Sequence, residues 1–145
     1  TLPEKQVMVL MEELCEALVF LHDQGILHRD IKPSNLLLAA DGHIRLIDFD
    51  AAREEKPNGD SDTQLLGTKG YAPPEQYGFA QTDARADIYA VGVTMKQLLG
   101  KWAEKRPYRH ILRKCTEFAP KRRYQTAGAL LRALKTRAIQ LWLPC

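Results

Sequence analysis

The sequence predicts a mainly α-helical domain carrying one small β-hairpin. Three observations lead there: four segments in which apolar residues recur every three to four positions, two short apolar runs joined through Asp41-Gly42, and a composition of 45% hydrophobic and 27% charged residues in 145. The first is the pattern of amphipathic helices and the second that of a hairpin. The third supplies enough apolar material for one core and excludes disordered, collagen-like and coiled-coil chains.

In chain order, Thr1-Leu2-Pro3-Glu4 has the form of a capping box, with a proline tolerated in the first turn. Val7, Leu10, Met11, Leu14, Ala17, Leu18 and Leu21 then share one face, and Gly25 supplies the stop, so a helix is predicted over 3–24. Leu36 to Ala39 and Ile44 to Ile47 form the hairpin. Ala51 to Gly70 has no sustained period and reads as a long loop, a feature that usually serves function in a compact domain. A second helix is predicted over 84–99, with Ile88, Val91, Met95, Leu98 and Leu99 inward and Gly100 as its end. Two more are predicted over 107–118 (Ile111, Leu112, Cys115, Phe118) and 126–142 (Ala127, Leu130, Leu131, Leu134, Ala138, Leu141).

No apolar run approaches the ~18 to 20 residues of a bilayer span, and no basic-then-apolar leader opens the chain. The chain starts at Thr1 rather than Met and runs straight into a helical pattern, which points to a piece of a longer protein. Cys15, Cys115 and Cys145 make no C-x-x-C pair and are read as free thiols of a reducing, cytoplasmic interior. His22, His28, His43 and His110 show no metal-ligand spacing, so a structural zinc site is not expected. Charge is divided: residues 1–100 have a balance of −7 and residues 101–145 one of +10, which together make the net +3. The basic residues at the end recur at helical spacing between apolar ones, so they are read as solvated helix faces rather than as a nucleic-acid surface.

Chemistry concentrates in His28-Arg29-Asp30-Ile31-Lys32-Pro33-Ser34-Asn35, between the first helix and the hairpin, and in Asp48-Phe49-Asp50 after it. A carboxylate, an amine and an amide fall within six residues, followed by a second carboxylate at a strand end. Phosphoryl transfer needs that set: a carboxylate to orient the attacking hydroxyl and accept its proton, a cation for the phosphate, and hard oxygen ligands for magnesium.

These residues resemble the catalytic loop and metal-binding motif of eukaryotic-type Ser/Thr protein kinases. The resemblance continues through Gly67-Thr68-Lys69-Gly70-Tyr71-Ala72-Pro73-Pro74-Glu75, through Asp87-Ile88-Tyr89-Ala90-Val91-Gly92, and to Arg123 in Pro120-Lys121-Arg122-Arg123-Tyr124, five motifs in the family's order. The Pro-Pro-Glu-Gln-Tyr wording is closest to bacterial members. The resemblance implies a kinase-like C-terminal lobe over residues 1–145, using ATP and Mg²⁺ and acting on protein Ser/Thr hydroxyls. It implies that Asp30 orients and deprotonates the hydroxyl, Lys32 steadies the γ-phosphate, Asn35 and Asp48 hold magnesium, and Thr68 hydrogen-bonds Asp30 and Lys32. His28 and Asp87 would fix the loop backbone, Glu75 and Arg123 would form a buried pair, and Arg29 would meet a phosphate placed on Ser61 or Thr63. Lys32, two residues after Asp30, marks the loop as Ser/Thr-directed rather than Tyr-directed.

The chain departs from the family pattern in three places. Asp50 stands where most members have glycine, which restricts the backbone freedom of the segment. Only Lys101 to Pro107 separate the central helix from the next, where protein kinases usually place an additional docking helix. No Gly-x-Gly-x-x-Gly loop, Val-Ala-Ile-Lys-like strand or partner glutamate helix occurs, so the ATP-covering N-terminal lobe is expected to be a missing partner and the chain alone inactive. A pseudokinase or truncated binding module is thereby an alternative. Ile47-Asp48-Phe49-Asp50 is also similar to small-molecule kinases of the aminoglycoside and choline type, although that group generally lacks the Gly67 to Glu75 and Asp87 motifs.

Overall fold

A computed structural model describes residues 2–48, 52–54, 70–77 and 83–142. The first helix, α1, spans Glu4–Asp23 and buries Val7, Met8, Leu10, Met11, Leu14, Cys15 and Leu18 on one face. Its N-cap is Pro3, with no side-chain cap, and the first helical bond runs from Val7 N to Pro3 O at 3.0 Å. The N-cap therefore falls two residues after Thr1, and the Thr1 half of the expected capping box lies outside the described residues. Gly25 ends the helix in the left-handed region at φ 74°, where a side chain would be strained.

A two-residue strand β1 (Ile26–Leu27) follows, then a 3₁₀ turn at Pro33–Asn35, and then β2 (Leu36–Leu38) paired antiparallel with β3 (Ile44–Leu46). Glu13 ties this hairpin to α1, accepting from His43 Nδ1 at 3.0 Å and from Ile44 N at 2.9 Å. The Ile44 N–H, chiefly, holds the Glu13 carboxyl below its ordinary range, against partial burial. Inside the stretch read as a loop, β4 (Arg53–Glu54) pairs antiparallel with β1. Two residues cannot display a period, which is why this strand pair left no trace in the pattern.

A single turn, α2 (Pro74–Tyr77), precedes α3 (Ala84–Leu99), whose N-cap Asp83 accepts from Arg85 N at 2.9 Å. Nine residues of α3 are buried, Ala86, Asp87, Ile88, Ala90, Val91, Gly92, Thr94, Met95 and Leu99, so the helix runs through the core rather than along its edge. The link expected to be short holds a 3₁₀ helix, Gly100–Glu104. Next, α4 spans Tyr108–Cys115 and stops well before residue 118. Thr116 returns its hydroxyl to Leu112 O at 2.9 Å, and Phe118, expected inward, is 77% exposed because it lies beyond the last helical turn. A 3₁₀ turn at Pro120–Arg122 leads to α5 (Ala127–Trp142), where Thr126 Oγ1 accepts from Ala129 N at 3.0 Å. Helix α1 packs against α5 and α3, and α4 packs on α3.

Cys15 and Cys115 are free and buried in this core. Burial, with Glu12 and Glu16 adding to it, pushes the Cys15 thiol up to about 12, and burial raises Cys115 as well, so both are inert at neutral pH. Cys145 lies outside the described residues.

The approach of α4 to α3 is set by one residue. A Cβ on Gly92 would lie 2.5 Å from Cys115 Cβ and 2.9 Å from Thr116 Cγ2, and Cβ atoms cannot rotate away. Gly92→Ala would gain about 1 kcal/mol of helix propensity but would cost about 1–3 kcal/mol of overpacking. Because the clash is with an atom fixed to the backbone, the cost prevails. Denaturant titration of Gly92→Ala should show lower stability than the parent, and an unchanged or higher midpoint would contradict the close approach.

Candidate active site

The loop from His28 to Asn35 leaves β1 and is held from beneath by Asp87, in the first turn of α3. Asp87 is 1% exposed. Its Oδ1 accepts from Arg29 N at 2.8 Å, and its Oδ2 accepts from His28 N at 2.9 Å and from His22 Nε2 at 2.8 Å. Three N–H groups thus satisfy a carboxylate that burial alone would make costly. With its backbone fixed, Arg29 adopts φ 71°, a left-handed geometry that costs a non-glycine residue about 1–2 kcal/mol. The turn directs the following residue, Asp30, away from the core, while Ile31 is fully buried and plugs the loop into it.

His28 braces the loop from inside. Its Nδ1 accepts from Asp30 N at 3.1 Å, so the ring proton on Nε2 is the one donated to Ile47 O, at 3.0 Å. That second bond ties the loop to the end of β3. The buried Gln76 adds a further tie, donating from Nε2 to Arg29 O at 3.1 Å.

Above this frame the polar groups converge. Asn35 donates from Nδ2 to Asp30 O at 2.7 Å and to Asp30 Oδ2 at 3.3 Å, which leaves its carbonyl oxygen as a hard donor. Lys32 Nζ lies 3.7 Å from Asp30 Oδ2, with the two side chains 24% and 16% exposed, so neither is sealed from solvent. The hairpin ladder continues one step past β3, with Ile47 N donating to Asn35 O at 2.9 Å, and Asp48 is the next residue along the chain. Asp48 sits at φ 60°, a conformation aspartate tolerates better than most residues. Among the described residues no three His, Cys, Asp or Glu side chains cluster closely enough to hold a metal between them. The hard oxygens of Asn35 and Asp48 suit magnesium, which is held by one or two protein ligands together with substrate phosphates.

Glu75 and Arg123 meet across 48 residues of sequence. Arg123 Nη1 and Nη2 donate to the two Glu75 oxygens at 2.6 and 3.0 Å. Its remaining donors reach Glu117 O at 2.7 Å, Arg85 O at 3.0 Å and Phe118 O at 3.1 Å, and its guanidinium lies 4.9 Å from the Tyr89 ring centroid. A fully buried cation with an acceptor for every N–H joins the α2 turn to α3 and to the link between α4 and α5.

Thr68, Ser61, Thr63, Phe49 and Asp50 lie outside the described residues, so the expected contacts of Thr68 with Asp30 and Lys32, and of Arg29 with a phosphate, lie there too. Two residues at the site carried no expectation. His22 lies in the last turn of α1, 65 residues from Asp87, and nothing local marks a contact over that distance. Gln76 stood beside Glu75 within the quoted motif, and its amide, in a stretch bound for the interior, was the available signal.

A helical lobe with a carboxylate, amine and amide loop, braced against a central helix, is the C-terminal half of a kinase fold. Residues 1–119 match the family of the protein kinase domain, and the chain belongs to that family. It is 37% identical over 98 residues to the serine/threonine-protein kinase PknB of Mycobacterium tuberculosis, covering 66% of this chain and 16% of that protein. Protein kinase C zeta type from Oryctolagus cuniculus is 40% identical over 103 residues, with 68% and 17% covered. The 3-phosphoinositide-dependent protein kinase 1 of Arabidopsis thaliana is 36% identical over 108, with 68% and 22% covered. The chain therefore spans between 16% and 22% of the length of these relatives.

Removing either partner of the Glu75–Arg123 pair strands a buried charge, at a typical cost of about 3–5 kcal/mol. Glu75→Ala and Arg123→Ala should each lower the unfolding free energy by that order, and the double variant should lose clearly less than the two losses added together. Additive losses in the denaturant cycle would contradict the pairing.

Proposed function

We propose that the chain is the catalytic C-terminal lobe of a Ser/Thr protein kinase, which transfers the γ-phosphate of ATP to Ser or Thr hydroxyls of proteins when joined to a nucleotide-covering N-terminal lobe. The observation that carries this reading is the convergence of Asp30, Lys32 and Asn35 on one braced loop, to which the residue before Asp48 is tied by the Ile47 to Asn35 bond. The names of the similar proteins, all protein kinases and PknB a serine/threonine-protein kinase, support it.

In this reading Asp30 accepts a hydrogen bond from the substrate hydroxyl, orients it and takes its proton as the new P–O bond forms and the bond from the γ-phosphorus to the bridging oxygen of the leaving ADP breaks. Asn35, by donating to the Asp30 carboxylate, limits its rotation and keeps it aimed at the hydroxyl. Lys32, 3.7 Å from the same oxygen, offers its charge where negative charge on the transferring phosphoryl group accumulates. Asn35 and Asp48 would hold magnesium, which when bound neutralises charge on the nucleotide phosphates. Thr68 would complete the hydroxyl site. A phosphate on Ser61 or Thr63 would meet Arg29 and couple the loop after Asp48 to Asp30. The free thiols support a cytoplasmic setting. Among the described residues no helix is long and apolar enough to cross a membrane.

The test uses the full-length protein, ATP and a Ser/Thr peptide library. Asp30→Asn should lower turnover by about 10²- to 10⁴-fold while sparing nucleotide affinity. Asp48→Ala should abolish the magnesium dependence of nucleotide binding. Unchanged turnover in Asp30→Asn would contradict the role assigned to it. Transfer to a free aminoglycoside or choline but to no peptide would replace the protein substrate, and no transfer to any acceptor would leave a binding module.

A further inference from the structure

We propose that the concavity at the start of α4 is a pocket for a phosphoserine or phosphothreonine segment of a partner protein. The pocket has a volume of about 370 Å³ and is lined by Arg106, Pro107, Arg109, His110 and Arg113. Arg109 and Arg113 lie one turn apart on the same helix face, with Arg106 beside them in the approach to the helix. All three are exposed, and among the described residues none is in an ion pair with a carboxylate. A second hollow of about 260 Å³ shares Arg109 and Arg113 and extends the groove toward Lys96, with Glu104 the acidic residue on its wall. The first turn of α4 contains no acidic residue and Pro107 provides no side-chain cap, so the positive end of the helix adds to the field instead of opposing it.

Three arginines contribute to the wall of one cavity, and their combined charge exceeds what a single carboxylate can neutralise. A phosphate monoester brings about 1.5 to 2 negative charges and three oxygens that suit the planar fork of arginine. The basic excess of residues 101–145 is not spread as a plane for nucleic acid or lipid, because several of its cations are engaged elsewhere. Lys135 lies 3.8 Å from Glu16, Lys105 sits over the Trp102 ring, Lys114 sits over the Tyr124 ring, and Arg123 is buried against Glu75. The pocket is also remote from the catalytic loop. Lys96, on the wall of the adjoining hollow, follows Asp87 along α3 by nine residues, roughly 14 Å at the helical rise. Binding there uses none of the phosphoryl-transfer groups, so it stands or falls separately from the proposed activity.

The test is isothermal titration of the protein, without nucleotide, using three peptide libraries that differ only in a fixed central phosphoserine, serine or glutamate. Anionic phosphatidylserine vesicles and a short RNA serve as further probes. The phosphoserine library should bind at least about tenfold more tightly than the other two, and its affinity should fall as salt rises. Arg109→Ala/Arg113→Ala should lose that preference while keeping the parent unfolding midpoint, since both side chains are exposed. Failure of the phosphoserine library to bind, equal binding of the three libraries, or a preference that survives in the double variant would overturn the proposal. Tighter binding to vesicles or RNA than to phosphopeptide would overturn it equally and assign the pocket to that ligand.

Discussion

Asp87 places a buried carboxylate at the start of the central helix and uses both oxygens to capture the chain just ahead of Asp30. The backbone amides of His28 and Arg29 and the ring of His22 converge on it within 2.8 to 2.9 Å. Without such acceptors the two amides would be buried donors lacking partners, each at a cost of about 1–3 kcal/mol. With them, the left-handed turn at Arg29 is held in place, and the turn in turn aims Asp30. The geometry of Asp30, Lys32 and Asn35 is thus inherited from a side chain on another element, the first turn of α3.

The same helix organises the remainder. Gly92 lets α4 approach α3 to a distance no other residue permits, and α1 and α5 close over the apolar faces that are left. At the α2 turn, the bidentate Glu75–Arg123 pair fixes the segment that carries Gln76, whose amide reaches back to the Arg29 carbonyl. His28 links the loop forward to Ile47, so the element that presents Asp48 and the element that presents Asp30 share one brace. Loop, hairpin end and α2 turn therefore hold one another through a few directional bonds set into a packed helical core.

Much of this was legible in the sequence where the signal is periodic. The span 84–99 matches α3, because sixteen residues offer four turns of pattern between Asp83 and Gly100. The hairpin is equally plain, since Asp41-Gly42 marks its turn. What escaped was too short or too distant to leave a pattern. Strands β1 and β4 have two residues each, α2 has one turn, and the contact of His22 with Asp87 spans 65 positions. Phe118 shows the opposite failure: it continues an apolar series in sequence after the helix that gave the series its meaning has ended at Cys115. The charged motif around Asp30 could be read as chemistry because its residue types are rarely assembled for packing alone. The groove at α4 could not, because helical spacing by itself does not separate a solvated basic face from a concave one.

The dependence of the loop on Asp87 is tested most directly by amide hydrogen exchange, residue by residue, in the parent protein and in Asp87→Ala. The His28 and Arg29 amides should exchange slowly in the parent, at rates comparable with the interior of α3. In Asp87→Ala the protection of residues 28–35 should fall by far more than that of α4, whose bonds do not involve the carboxylate. Equal protection of His28 and Arg29 in the two proteins would contradict the account, because the loop would then be held by something other than Asp87.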